Sequence, residues 1–269
     1  MKKIGHYLGN IAGAILAFTL YMLLEIAYFA PKRINLGKGN LRVFATSLMT
    51  VVILFVIFYL YRRQLKEENL WGFNESPHWD ARRLGIAVIG FILIVVGSVV
   101  MLNLVGGGVS ENQQSLNRLE QGNTGLFKIL VIFIAPFCEE TIFRGMFFNI
   151  FFTKPTTLNK WLGIITSGFL FGYMHDPMLS KYILVYWVLG IVLAWVYTTT
   201  KDLRYSMLVH MCYNAMGLIK IECKLKRRKF FRRFFICFIN NQLRESRINA
   251  IGKTIKLESQ LLKANPQII

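Results

Sequence analysis

Glu139, Glu140 and Arg144 stand inside an apolar run from Gly125 to Phe152. A charged side chain at the centre of such a helix costs roughly 2.5–3.5 kcal/mol on insertion scales. A sequence carries that cost where the groups pair, face a wet cavity or do chemistry. Residues four apart share one helical face, so Glu140 and Arg144 can neutralise each other. Glu139 points about 100° away from Glu140, which leaves it free to act. Pro136, three residues earlier, removes a backbone donor and is expected to kink the helix just ahead of the acids. Two histidines follow: His175 comes four residues after Phe171, and His210 four before Asn214. The second spacing puts an imidazole and an amide on one face. A lone intramembrane histidine is more often a helix–helix hydrogen bond than a catalyst. Two of them, with a spare glutamate and an amide in the last four apolar blocks, point to a shared site.

Hydrolysis is the chemistry that fits. Glu139 can take a proton from water, and histidines can orient that water or stabilise an oxyanion. Asn214 can donate to the oxyanion or hold His210 in one tautomer. Other hydrolase designs are missing: there is no G-x-S-x-G elbow, no H-E-x-x-H helix, and no pair of aspartates within the spans. Cys138 and Cys212 flank the motifs, and as small apolar residues they are expected to pack. No C-x-x-C pair occurs, so neither a disulfide framework nor a zinc knuckle is indicated.

The elements that must position these residues are membrane helices. The chain has 269 residues, is 54% hydrophobic and has a mean hydropathy of +0.44. Its apolar residues come in long blocks, which excludes an ordinary soluble domain. The formal charge of +18 sits in loops and tail and reads as membrane topology rather than nucleic-acid binding. The partners expected are therefore membrane lipid and a peptide or small-protein substrate. The fold class expected is an all-α polytopic bundle with seven spans: Leu8–Ala30, Val43–Tyr61, Leu84–Val105, the acid-bearing block Gly125–Phe152, Trp161–Met174, Leu179–Thr200 and Tyr205–Ile219. Glu25, near the end of the first, reads as an interfacial acid paired with Lys32 or Arg33. Gly168-x-x-x-Gly172 allows close approach of another helix. Three regions result: residues 1–124 with three spans, 125–219 with four, and a polybasic tail, 220–269. Phe230–Ile239 is too short and too charged to span, and is expected to be an interfacial helix or disordered.

The motifs Glu139-Glu140-x-x-x-Arg144, Phe171-x-x-x-His175 and His210-x-x-x-Asn214, in that order, resemble those of the CPBP family of intramembrane proteases. That family includes CAAX prenyl endopeptidases and bacterial proteins linked to bacteriocin processing or self-immunity. The resemblance covers Gly125 to Leu218. It implies that Glu139 and His175 activate water, that His210 and Asn214 form the oxyanion site, and that Glu140, Arg144 and Phe171 are structural or position substrate. The pattern accepts Asn or Asp at the position of Asn214. Members are often called metalloproteases, and Glu139, His175 and His210 could supply a two-His, one-carboxylate zinc set; they could equally act on water directly. The alternative to an endopeptidase is a non-catalytic membrane immunity or binding protein.

The last four spans are expected to bundle around Glu139, His175, His210 and Asn214, with the first three outside. Depth is a difficulty. At 1.5 Å per residue, Glu139 lies about 20 Å from the end of its span and His210 about 8 Å from the start of its own. Tilted or broken helices would be needed to bring them level.

Overall fold

The computed structural model describes residues 2–29, 34, 39–108, 110–120 and 128–218. Among these there is no strand. The helices are α1 (Lys2–Phe29), α2 (Gly39–Glu67), α3 (Ala81–Leu104), α4 (Glu111–Glu120), a composite α5, α6 (Thr157–His175), α7 (Ile183–Thr200) and α8 (Leu203–Leu218). The tail from 220 on, including Phe230–Ile239, lies outside the described residues, as do Lys32 and Arg33.

Among the described residues, four helices are long and apolar enough to cross a membrane: Ile4–Phe29, Gly39–Glu67, Ala81–Leu104 and Ile183–Thr200. Their outward faces carry large exposed apolar side chains such as Phe44, Val51 and Phe55 on α2 and Val88 and Ile92 on α3, the surface that lipid tails accept. The other three expected spans are helical as well, but the described helices do not establish a count of seven. α8, at 16 residues, is only about 24 Å long.

α5 departs from a plain α-helix. It runs as π-helical Leu130–Ile134, α-helical Ala135–Glu139, π-helical Glu140–Met146 and α-helical Phe147–Phe151. A π turn bonds residues five apart and frees neighbouring carbonyls from the regular ladder. Side chains of other helices take them up. Ser167 Oγ donates to Phe143 O at 2.7 Å and Gln64 Nε2 to Met146 O at 3.2 Å. In the first π stretch the Ala135 N–H donates to Leu130 O. The next donor in that register would be residue 136, a proline without an N–H. Asn214 Nδ2 occupies that gap, donating to Val131 O at 2.8 Å.

The glycines of α6 meet α7 backbone to backbone, as the G-x-x-x-G spacing indicates. A Cβ on Gly168 would lie 2.7 Å from Ile191 N, and one on Gly172 would lie 3.1 Å from Trp187 N. α7 answers with Gly190, whose Cβ would lie 2.7 Å from Gly168 Cα. This seam locks the end of α6, with His175, against the first turn of α7.

The first three helices do not stand outside the bundle. α3 packs on α7 where a Cβ on Gly90 would collide with Val196, and Ser98 Oγ accepts from Tyr213 on α8 at 2.9 Å. Tyr61 of α2 covers Gly145 of α5 and reaches Tyr197 of α7, hydroxyl to hydroxyl, at 3.0 Å. The connection between α2 and α3 turns inward. Phe73 is fully buried and stacks on Tyr197 at 4.3 Å, and Trp71 Nε1 donates to Phe152 O at 2.6 Å. At that end Asp202 is buried beneath the turn that opens α8. Arg204 grips it twice, Nε to Oδ1 at 3.1 Å and Nη2 to Oδ2 at 2.7 Å, and Arg83 Nη1 stands 3.6 Å away.

Candidate active site

Glu139 ends the α-helical turn of α5 and Glu140 begins the π stretch, and the two carboxylates part as their positions imply. Glu140 and Arg144 are fully buried, with Arg144 Nη1 3.2 Å from Glu140 Oε1. The guanidinium also gives Nη2 to Gly190 O at 3.2 Å and lies over the Phe171 ring, 4.5 Å from its centroid. The ion pair is poorly aligned. Arg144 Nη1 and Nε and Glu140 Oε2 make no hydrogen bond among the described residues.

His210 stands between the two glutamates. Its Nδ1 is 3.1 Å from Glu140 Oε1 and its Nε2 is 3.7 Å from Glu139 Oε2. Glu140, paired with Arg144, is an acceptor only, so Nδ1 carries the proton and Nε2 is turned to Glu139. A carboxylate that fixes the tautomer of an imidazole is the supporting arrangement found behind many catalytic histidines. Glu140 thus touches His210, and Arg144 lies over Phe171.

His175 closes α6 with Nδ1 2.9 Å from Phe171 O, its ring stacked on Tyr186 of α7 at 5.0 Å. Phe171, fully buried, separates the two imidazoles. Its centroid lies 4.3 Å from that of His175 and 5.5 Å from that of His210. Glu139, His175, His210 and Asn214 all line one cavity of about 420 Å³, together with Tyr186, Tyr213 and Ala135. Residues placed at different depths by counting along straight helices therefore meet at one cavity.

Residues 121–216 match the family model described as type II CAAX prenyl endopeptidase Rce1-like. Over that stretch the chain is similar to the CPBP family of membrane proteases. Among curated relatives, the UPF0177 protein YvdC of Lactococcus lactis is 27% identical over 136 residues, 49% of this chain and 51% of that protein. YbdI of the same organism is 27% identical over 177 residues, 64% of this chain and 92% of that protein. The membrane-embedded CAAX protease MroQ of Staphylococcus aureus is 29% identical over 141 residues, 49% of this chain and 56% of that protein. The matched stretch thus spans about half the length of YvdC and MroQ. No solved structure matches. Family and apolar helices together make this a multi-pass membrane protein.

Two groups at this cavity escaped sequence reasoning. Tyr21 of α1, buried in the core, places its hydroxyl 2.5 Å from Glu139 Oε1. Glu25, one turn on, stands 2.9 Å from the same hydroxyl and lines the cavity. The expected partners of Glu25 lie outside the described residues, and the contact it makes is inward. Only the i, i+4 pairing of Tyr21 with Glu25 was readable beforehand; nothing in the spacing ties either to Glu139.

The zinc set is not gathered in this arrangement. Among the described residues no group of three His, Cys, Asp or Glu side chains is placed to hold a metal. Glu139 and His210 face each other, while His175 lies across Phe171, stacked on Tyr186.

Proposed function

We propose that this protein is an intramembrane endopeptidase that hydrolyses peptide bonds with water activated at Glu139. The observation that carries the reading is the 3.7 Å approach of Glu139 Oε2 to His210 Nε2 in the wall of a cavity that His175 and Asn214 also line. A buried carboxylate with one oxygen turned to an imidazole and a cavity is placed for proton transfer rather than for charge pairing. The CAAX protease MroQ and the matched Rce1-like family support the reaction class.

In this scheme Glu139 and His175 hold the water. Its oxygen bonds to the scissile carbonyl carbon while its proton passes to Glu139. When the pair closes from 3.7 Å to hydrogen-bond reach, His210 Nε2 takes that proton and then presents an N–H to the oxyanion. Asn214 has one amide hydrogen committed to Val131 O and a second to offer the same oxygen. As the carbon–nitrogen bond breaks, the proton goes to the leaving amine. Phe171, over Arg144 and between the imidazoles, keeps bulk water from the ion pair. The substrates are peptides or small proteins at the membrane, in bacteriocin maturation or self-immunity.

The purified full chain in lipid nanodiscs should cleave members of a proteome-derived peptide mixture, read by mass spectrometry. The same preparation carrying Glu139→Gln should not. Chelator should leave cleavage unchanged, whereas inhibition reversed by zinc would assign a metal role to Glu139, His175 and His210. Equal peptide patterns from wild type and Glu139→Gln would overturn the proteolytic reading and leave a non-catalytic immunity or binding protein.

A further inference from the structure

The matched residues begin at 121, yet the nearest hydrogen-bond partner of Glu139 comes from α1. Tyr21 Oη lies 2.5 Å from Glu139 Oε1. The phenol ring is buried in the core between α1 and α5, so packing alone would be served as well by phenylalanine. The hydroxyl does something the ring does not. Glu139 has two oxygens, and Oε1 is held by Tyr21 while Oε2 is turned to His210 Nε2 at 3.7 Å. Without the phenol, the carboxyl group is free to rotate about its terminal torsion, which is broad and has no strong staggered preference. Glu25 Oε1 stands 2.9 Å from the other side of the same hydroxyl. A phenol carries one proton, so Glu25 and Glu139 compete for a single donor.

We propose that Tyr21 is the positioning residue of the base Glu139 and that Glu25 acts on catalysis only through Tyr21, so that α1 completes the site. This rests on the reading of Glu139 as the base. It assigns to the amino-terminal helix a function outside the matched family region.

The test uses the full chain in lipid nanodiscs and, as probe, the peptide that wild type cleaves fastest in the proteome-derived mixture. kcat and KM are measured separately for wild type, Tyr21→Phe, Glu25→Leu, the double variant and Glu139→Gln. Tyr21→Phe should lower kcat about 10- to 100-fold, the worth of one hydrogen bond to a charged group, with KM unchanged. A purely structural role would lower the folded fraction and leave kcat per folded molecule alone. Glu25→Leu should change kcat when Tyr21 is present and have no further effect in the Tyr21→Phe background. Wild-type kcat in Tyr21→Phe overturns the proposal, as does a Glu25→Leu effect of equal size in both backgrounds. Should Tyr21→Phe fail to fold, Glu25→Leu decides alone, and unchanged kcat and KM there overturn the proposal. Glu139→Gln separates the two claims. If it is inactive while Tyr21→Phe is normal, only the positioning role fails; if it retains full activity, the reading of Glu139 fails and this inference with it.

Discussion

Two clusters of buried charge lie among the described residues, and they are built differently. Around Asp202 both carboxylate oxygens are gripped by Arg204, Arg83 stands near, and the Arg204 backbone N–H also donates to Oδ1 at 3.1 Å. The two arginines keep part of their surface in water, with side chains 33% and 22% exposed. Around Glu140 the ions are fully buried, yet Glu140 Oε2 and Arg144 Nε lack hydrogen-bond partners among the described residues. Buried polar groups normally find partners, and those that do not call for an explanation. The first cluster closes a helix start. The second keeps polar capacity in reserve beside a cavity, and its Glu139 and His210 face each other at a distance too long for a good hydrogen bond. Local satisfaction marks the structural cluster, and incomplete satisfaction marks the site.

The largest effect that separates them is on rate. Glu139→Gln should lower cleavage by about 10²–10⁴-fold, the usual worth of a positioned general base, while thermal unfolding in detergent stays near wild type. Loss of stability with no loss of rate per folded molecule would place Glu139 with the structural cluster instead.

Next in size is Glu140→Gln. It leaves Arg144 charged and fully buried without its direct ion-pair partner, and removing one partner of such a pair costs about 3–5 kcal/mol. Expression and thermal stability should fall together with activity, since His210 also loses the acceptor that fixes its Nδ1. Asp202→Ala should cost less, about 2 kcal/mol, the scale of hydrogen bonds to a charged group, because Arg83 and Arg204 can turn to water. Cleavage per folded molecule should not change, as read by kcat normalised to the monodisperse fraction.

The sequence made one of these clusters visible and hid the other. Charges inside an apolar run stand out, because burial makes them costly, and so the acids, the arginine and both histidines could be picked out by type and spacing. Gly168 and Gly172 were legible for a similar reason, since small residues at one-turn spacing have little use except close approach. Asp202 was not legible as a buried anchor, because a charged tetrapeptide between spans has the cheaper reading of an exposed turn. Tyr21 and Glu25 were hidden differently. An acid near the end of a span is ordinarily interfacial, and no helical period relates position 21 to position 139. The π turns of α5 also left no mark beyond Pro136.

The smallest expected effect concerns Asn214, which belongs by motif to the site but by its contact to the structural kind. Its Nδ2 donates to Val131 O at 2.8 Å, the carbonyl whose π-register donor would be residue 136. Pro136 has no N–H to give. Asn214→Asp replaces that donor with an acceptor, so although the family pattern accepts Asp, this chain should lose stability, by about 1–3 kcal/mol for a buried carbonyl left unpaired. Asn214→Leu should lose a similar amount without the added repulsion. Pro136→Ala restores an N–H at the required place. In a double-mutant cycle read by thermal unfolding, Asn214→Leu should therefore cost less in the Pro136→Ala background than alone, with a coupling of about 0.5–3 kcal/mol for groups that share a partner. Strict additivity would mean that Asn214 does not stand in for the missing backbone donor. The same cycle read by kcat then separates its two hydrogens. If Pro136→Ala recovers stability but not rate, the second amide hydrogen serves the reaction, and Asn214 joins the incompletely satisfied groups of the site.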